Sequence, residues 1–161
     1  MSENLHDLLE RDDPVALRRI EKALDDTDGS NEDVEAIVTA LIWRRCTTGQ
    51  NGVLGAVLHR DCAERIGVLA DHLEQVGATD AAQVMRDLRE RIPLRDEQIR
   101  HGLIDWVDSN PAFASYAKGL DAGVEDIGPT VWTFMQDRQD DLPDPEIPDK
   151  SRGLFARMFG E

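Results

Sequence analysis

Three side chains of the sequence, His59, Cys62 and His72, are of types that catalyse reactions or bind metals. An imidazole acts as a general base or a zinc ligand, and a thiolate acts as a nucleophile or a soft metal ligand. A helix would place His59 and Cys62 on one face, because they are three residues apart. However, Cys62 belongs to an apolar stripe, where burial raises the pKa of a thiol. A small enzyme or metal protein that uses these three residues is therefore an alternative function, not the leading one. A self-assembling protein of purely structural role is a second alternative.

No longer motif supports catalysis. The sequence contains no CxxC, HExxH or GxSxG pattern, and residues 49–55 are rich in glycine but lack the Lys-Ser/Thr pair of a phosphate-binding loop. The two cysteines, Cys46 and Cys62, lie on apolar helix faces, which is typical of small core residues in a reducing compartment. We therefore predict a protein that is not an enzyme and that uses no cofactor and no metal.

Acidic side chains are the strongest signal in the composition. The 161 residues include 33 Asp and Glu against 18 Lys and Arg, which gives a net charge of −15. Residues 1–40 contribute −8 and residues 111–161 contribute −5, whereas residues 41–110 contribute only −2. Such a field repels nucleic acid and attracts basic protein surfaces. We predict a basic protein partner and no direct binding of nucleic acid, although solubility or adaptation to salt explains the same charge without a partner.

The candidate partner-binding residues are carboxylates on the two acidic flanks of the chain. Carboxylates spaced along a rigid helical face can replace phosphates as partners of Arg and Lys. For each of them the simpler interpretation is a solvated acid. The candidates are Asp25, Asp26, Asp28, Glu32, Asp33, Glu35, Asp121, Glu125, Asp126, Asp137, Asp140 and Asp141.

Helices are the elements that must position these side chains. Apolar residues recur at helical spacing in the long segments, and no segment alternates with the period of two that is typical of a half-buried strand. The most regular amphipathic pattern predicts a helix over residues 31–46, with Trp43 beside the apolar stripe at its edge. That stripe consists of Val34, Ile37, Val38, Leu41, Ile42 and Cys46.

Residues 61–85 are predicted to form a helical hairpin. Its first helix, residues 61–76, ends at Gly77, because glycine adopts the left-handed conformation at the end of a helix without strain. Thr79 is the predicted N-cap of the second helix. The two buried stripes consist of Cys62, Ile66, Leu69, Leu73 and Val76, and of Ala82, Met85 and Leu88.

Together these patterns predict an all-α fold, a single compact domain of seven to nine helices that is large enough to bury a core without disulfides. Residues 1–30 are predicted to form an acidic N-terminal helical arm, residues 31–140 the helical core, and residues 141–161 an extended, proline-rich tail. Within the core, one further helix begins at residues 95–96. It buries Ile99, Leu103, Trp106 and Val107.

The tail ends in a short apolar hook at Leu154, Phe155, Met158 and Phe159. A segment this short is not stable alone, so it is predicted to dock on its own domain or on a second copy of the chain, which would form a homodimer. The alternative is a peptide-like motif that binds another protein. The preceding residues are acidic, which argues against a membrane surface as the partner. The sequence has neither a basic-then-apolar signal peptide nor about 20 consecutive apolar residues, so we predict a cytoplasmic protein.

Several segments carry a resemblance to a known family. They are residues 50–52 (Gln-Asn-Gly), residues 73–78 (Leu-Glu-Gln-Val-Gly-Ala), residues 81–85 (Ala-Ala-Gln-Val-Met), the pair Leu120-Asp121, and residues 131–135 (Val-Trp-Thr-Phe-Met). Over about residues 35–140 the chain resembles the bacterial DNA-mimic protein family, an all-helical family, as a diverged member. Val53 stands where the family has a second glycine. The resemblance implies an acidic surface, shaped like duplex phosphate, that occupies the DNA-binding surface of a basic regulator.

Overall fold

The structure, a computed structural model, describes residues 3–13, 16–27 and 31–148. These ranges form eleven α-helices and one two-stranded antiparallel sheet, which confirms the predicted all-α class. The strands are β1 (Glu3–Asn4) and β2 (Glu146–Ile147). The helices are α1 (Leu5–Glu10), α2 (Leu17–Asp25), α3 (Glu32–Thr47), α4 (Gly55–Leu58), α5 (Arg60–Ala63), α6 (Leu69–Gln75), α7 (Thr79–Glu90), α8 (Asp96–Arg100), α9 (Ile104–Asp108), α10 (Pro111–Leu120) and α11 (Gly128–Asp137). No helix within these ranges is both long enough and apolar enough to cross a membrane.

The helices outnumber the predicted seven to nine because two of the predicted helices are interrupted. Residues 61–76 form α5 and α6 instead of one helix, since the amides of Arg65, Ile66 and Val68 bond to the third preceding carbonyl and turn the chain. The predicted helix from residue 95 is likewise divided into α8 and α9. Gly102 separates them with φ +95°, a conformation outside any right-handed helix. Both predicted apolar stripes keep their contact with the core, except that Trp106 is only half-buried.

The corner between α6 and α7 confirms the predicted role of Gly77. Its φ is +93°, its amide donates to Glu74 O at 3.0 Å, and the amide of Ala78 donates to Leu73 O at 2.9 Å. This pair of bonds is a Schellman motif, which satisfies the last carbonyls of α6. The prediction for Thr79 was wrong: Ala78 precedes α7 without a side-chain cap, and Thr79 is the first helical residue. The Schellman motif leaves a single residue between Gly77 and α7, so Thr79 already has helical backbone.

Helix α3 is the centre of the core. The predicted stripe is buried, but so are the residues on its other faces, Ala36, Thr39, Ala40 and Trp43. The helix is therefore enclosed on most sides by α2, α6 and α11 rather than amphipathic as predicted. Trp43 is 1% exposed and lies in the core, not at its edge. The small side chains of Ala36 and Ala40 let neighbouring helices approach where a larger residue would hold them apart.

The two ends of the described chain are joined. Glu3 and Asn4 pair with Ile147 and Glu146 in the small sheet, and the amide of Leu5 donates to Pro145 O at 3.0 Å. The described parts of the predicted arm and of the predicted tail also reach the common core, where they bury Leu5, Leu8, Leu9, Ile20, Leu24, Leu142 and Ile147. Residues 142–148 have extended backbone as expected for a proline-rich segment, yet they are packed against the domain and do not form a free linker.

A tight turn before α4 is held by a distant carboxylate. Gly52 has φ +52°, and the amide of the next residue, Val53, donates to Asp121 Oδ1 at 2.8 Å. A Cβ atom at Gly52 would overlap the Asp121 carboxylate. The turn therefore needs glycine for two reasons: the backbone conformation and the space that the carboxylate takes.

The substitution Gly52→Ala is expected to lower the free energy of unfolding by about 1–3 kcal/mol, because it adds backbone strain and displaces Asp121. Urea denaturation followed by circular dichroism measures this change. Gly49→Ala in the same turn is the matched control, since a Cβ atom there meets no atom within 4 Å. Equal losses in the two variants would contradict the proposed contact between Asp121 and the turn.

Candidate functional site

The residues that suggested chemistry, His59, Cys62 and His72, lie in three different environments. His59 is exposed and its Nδ1 accepts from the amide of Asp61 at 3.2 Å, so it caps the short helix α5. Cys62 is fully buried. His72 is half-buried, and its Nδ1 lies 2.8 Å from Thr39 Oγ1. Among the residues that the structure describes, no group of three or more His, Cys, Asp and Glu side chains is placed to hold a metal ion.

The two cysteines are free thiols that contact each other in the core. The thiols of Cys46 on α3 and Cys62 on α5 interact. This interaction lowers the pKa of Cys46. For the same reason, and because Cys62 is buried, the pKa of Cys62 lies well above the ordinary value of 9.0. Cys62 is thus a protonated, enclosed thiol, whereas a nucleophile needs an accessible thiolate.

Thr39 anchors a polar contact at the surface of α3. It is the one buried polar residue among the described ranges, and Arg65 Nη1 donates to its hydroxyl at 3.1 Å. Arg65 also forms ion pairs with Glu35 at 3.2 Å and with Asp25 at 3.7 Å. Two of the predicted partner-binding carboxylates are therefore partly neutralised by an arginine that sequence reasoning did not connect with them.

The first group of predicted acids surrounds the beginning of α3. Asn31 caps this helix through its Oδ1, and its Nδ2 donates to Asp141 O at 2.8 Å, which joins the acidic segment after α11 to the start of α3. Asp33 accepts from Gln75 Nε2 at 3.0 Å. We call this group the α3 acidic face. It consists of Asp25, Asp26, Glu32, Asp33, Glu35, Asp137, Asp140 and Asp141.

The remaining described acids of the prediction lie near the other end of α3. Asp126 accepts two bonds from Arg44, at 2.6 and 3.2 Å, and one from the amide of Gly128 at 2.9 Å. These bonds lower the pKa of Asp126, and the hydrogen bonding from Arg44 contributes most. Asp121 holds the Gly52 turn, and only Glu125 is free of such a contact. From Asn31 to Arg44 the helix rises about 20 Å, so this group is separate from the α3 acidic face.

The predicted set thus contains carboxylates of two kinds. Asp121 and Asp126 are bonded within the fold. On the α3 acidic face, five exposed carboxylates form no ion pair with any residue in the described ranges. They are Asp26, Glu32, Asp137, Asp140 and Asp141. Asp28 and the hook residues Leu154, Phe155, Met158 and Phe159 lie outside the described residues.

A groove of about 460 Å³ adjoins the α3 acidic face. It runs between the corner of α6 and α7 and one side of α11, where Gln75, Gly77, Thr133, Phe134 and Asp137 are among its lining residues. Sequence reasoning did not find this groove. Its two walls are more than 50 positions apart in the chain, and no pattern within either helix indicates that they face each other.

The chain was compared with family models, curated proteins and solved structures, and none of the three comparisons gave a match.

Folding is expected to suppress the reactivity of Cys62 toward alkylating agents. In native protein treated with iodoacetamide, mass spectrometry of the peptides should show labelling of Cys62 at least about tenfold slower than in urea, because burial keeps the thiol protonated and enclosed. Rapid native labelling of Cys62 would instead support the alternative in which this residue is a nucleophile.

The partial burial of His72 is expected to make stability depend on pH. Burial lowers the pKa of His72 below its ordinary value of 6.5. The unfolded chain therefore binds a proton more readily, and the folded state loses stability as the pH falls from 6.5 toward the lower folded pKa. Urea denaturation at about pH 7.5 and about pH 5 should show a smaller loss for His72→Gln than for the unmodified protein. His101→Gln, at an exposed histidine, should keep the full loss.

Proposed function

We propose that this protein is a non-enzymatic, acidic binding module whose partner is a basic protein. The observation that carries the proposal is the α3 acidic face, where carboxylates from both flanks of the chain meet at one end of the central helix. Five of them are exposed and have no ion pair in the described part of the chain. Exposed carboxylates without an ion pair attract arginine and lysine side chains and accelerate association.

The position of the face supports the proposal over a merely soluble surface. Here Asn31 ties residues 140–141 to the start of α3, so the two acidic flanks are held together by a specific hydrogen bond. Helix α3 is enclosed by its neighbours and provides a rigid support for the face.

We further propose that the basic partner is a DNA-binding protein and that the α3 acidic face occupies its DNA-binding surface. The resemblance to the DNA-mimic family implies this partner, and the physical basis is the exchange of phosphates for carboxylates as ligands of arginine and lysine. The protein would then release the partner from its DNA by competition.

Neutralising the face is expected to abolish capture of the partner. The test variant carries Asp26→Asn, Glu32→Gln, Asp137→Asn and Asp140→Asn. The matched control carries Glu90→Gln, Glu97→Gln, Asp105→Asn and Asp108→Asn, which removes the same charge from exposed carboxylates near α8 and α9. Each immobilised protein is incubated with a lysate of the source organism, and bound proteins are identified by mass spectrometry. A specific partner should bind the unmodified protein and the control but not the test variant, and high salt should release it.

Competition with duplex DNA distinguishes a DNA mimic from an acidic binding module of another kind. Displacement of the partner by duplex DNA supports mimicry, whereas a partner that is released by salt but not by DNA supports only the acidic binding module. Equal capture by the test variant and the control would overturn the proposal, because net charge and not the α3 acidic face would then determine binding.

A further inference from the structure

In the groove beside the α3 acidic face, the guanidinium of Arg138 lies over an aromatic ring. The guanidinium carbon of Arg138 lies 5.4 Å from the centroid of the Phe134 ring, within the range of a cation–π interaction. Arg138 is exposed and forms no ion pair with a residue in the described ranges. The ring of Phe134 therefore binds a guanidinium that no carboxylate of the described chain holds in place.

The other groups in the groove complement a cation. Asp137 lines the groove and is exposed without an ion pair among the described residues. On the opposite wall, Gln75 Nε2 donates to Asp33 Oδ1 at 3.0 Å. The threonine side chains at residues 130 and 133 provide hydroxyl oxygens as further acceptors. The only cationic side chain among the lining residues is Arg138 itself.

We infer that this groove is the anchoring site for an arginine side chain of the basic partner, which stacks on Phe134 in place of Arg138 and is paired by Asp137. This inference rests on the proposed function and adds a specific contact to it. A planar guanidinium stacks on an aromatic ring and binds carboxylates through two parallel hydrogen bonds, which the ammonium group of lysine does not do. The groove should therefore distinguish arginine from lysine, whereas an acidic surface alone responds mainly to their equal charge.

The test uses two peptides of equal charge, a lysine heptapeptide and the same peptide with its central residue replaced by arginine. Isothermal titration calorimetry at low salt measures the affinity of the full chain for each. The unmodified protein should bind the arginine-containing peptide roughly two- to fivefold more tightly, the range expected for an exposed cation–π contact. Phe134→Leu keeps apolar volume but removes the ring, and should abolish this preference while it leaves binding of the lysine peptide unchanged.

A second variant gives a change of the opposite sign. Arg138→Gln removes the guanidinium that lies over the Phe134 ring, so the preference for the arginine-containing peptide should increase. Arg100→Gln removes the same charge from an exposed residue on α8 and should leave the preference at its original value. Thermal denaturation of each variant verifies that the fold is retained.

The outcomes separate this inference from the proposed function. If the unmodified protein shows no preference for arginine, or if Phe134→Leu retains it, the anchoring site is overturned. The proposed function then still stands if the four-residue test variant of the α3 acidic face binds both peptides more weakly than its matched control. Equal binding by that variant and its control would overturn the proposed function, and with it the pairing of the arginine by Asp137, which that variant lacks.

Discussion

Enclosure of α3 is the constraint on which the rest of this structure depends. Ten of its sixteen residues are buried, and they include Trp43 and the hydroxyl-bearing Thr39. A helix that is buried on most sides must be surrounded, so α2, α6 and α11 are arranged around it and both ends of the described chain are drawn to the same core. The hydroxyl of Thr39 is satisfied by Arg65 and His72. The indole nitrogen of Trp43, in contrast, is buried without a hydrogen-bond partner in the described ranges.

In this arrangement, whether a carboxylate forms an ion pair depends on the end of α3 near which it lies. Near the C-terminal half of α3, Arg44 faces Asp126, and that carboxylate stabilises the packing of α3 against the start of α11. At the N-terminal end no arginine other than Arg65 comes close enough to form an ion pair within the described ranges, so the carboxylates there remain largely unpaired. Acids at the start of a helix also interact favourably with its dipole, which lets the fold tolerate their concentration at this point.

The same arrangement creates the groove. The Schellman corner after α6 places Gly77 against α11, where a Cβ atom would lie 3.5 Å from the methyl group of Thr130. The corner thus approaches α11 closely without filling the space beside Phe134. An aromatic ring, a free carboxylate and backbone without a side chain are then combined at the edge of an acidic surface. That combination is the basis of the proposed anchoring site, because a planar guanidinium stacks on an aromatic ring and binds a carboxylate through two parallel hydrogen bonds.

Sequence reasoning was sufficient for local features. The all-α class, the stripes at residues 34–46 and 62–76, and the left-handed Gly77 follow from periodicity and from the stereochemistry of glycine, which act within one turn of a helix. Sequence reasoning was wrong about residues 61–76, which it predicted as one helix. The apolar stripe of residues 61–76 continues across the turn between α5 and α6, so periodicity alone could not show the interruption.

The sequence by itself determined the amount of negative charge, its concentration in the two flanks and the helical character of the chain. Only the tertiary structure decided which carboxylates remain free, because that depends on the position of a few arginines that are distant in sequence: Arg44 pairs with Asp126 across 82 residues and Arg65 with Glu35 across 30. It also decided that His59, Cys62 and His72 lie in three different environments, although helical spacing had placed His59 and Cys62 on one face. Periodicity specifies the face of each helix, but which faces meet depends on how all the helices pack around α3.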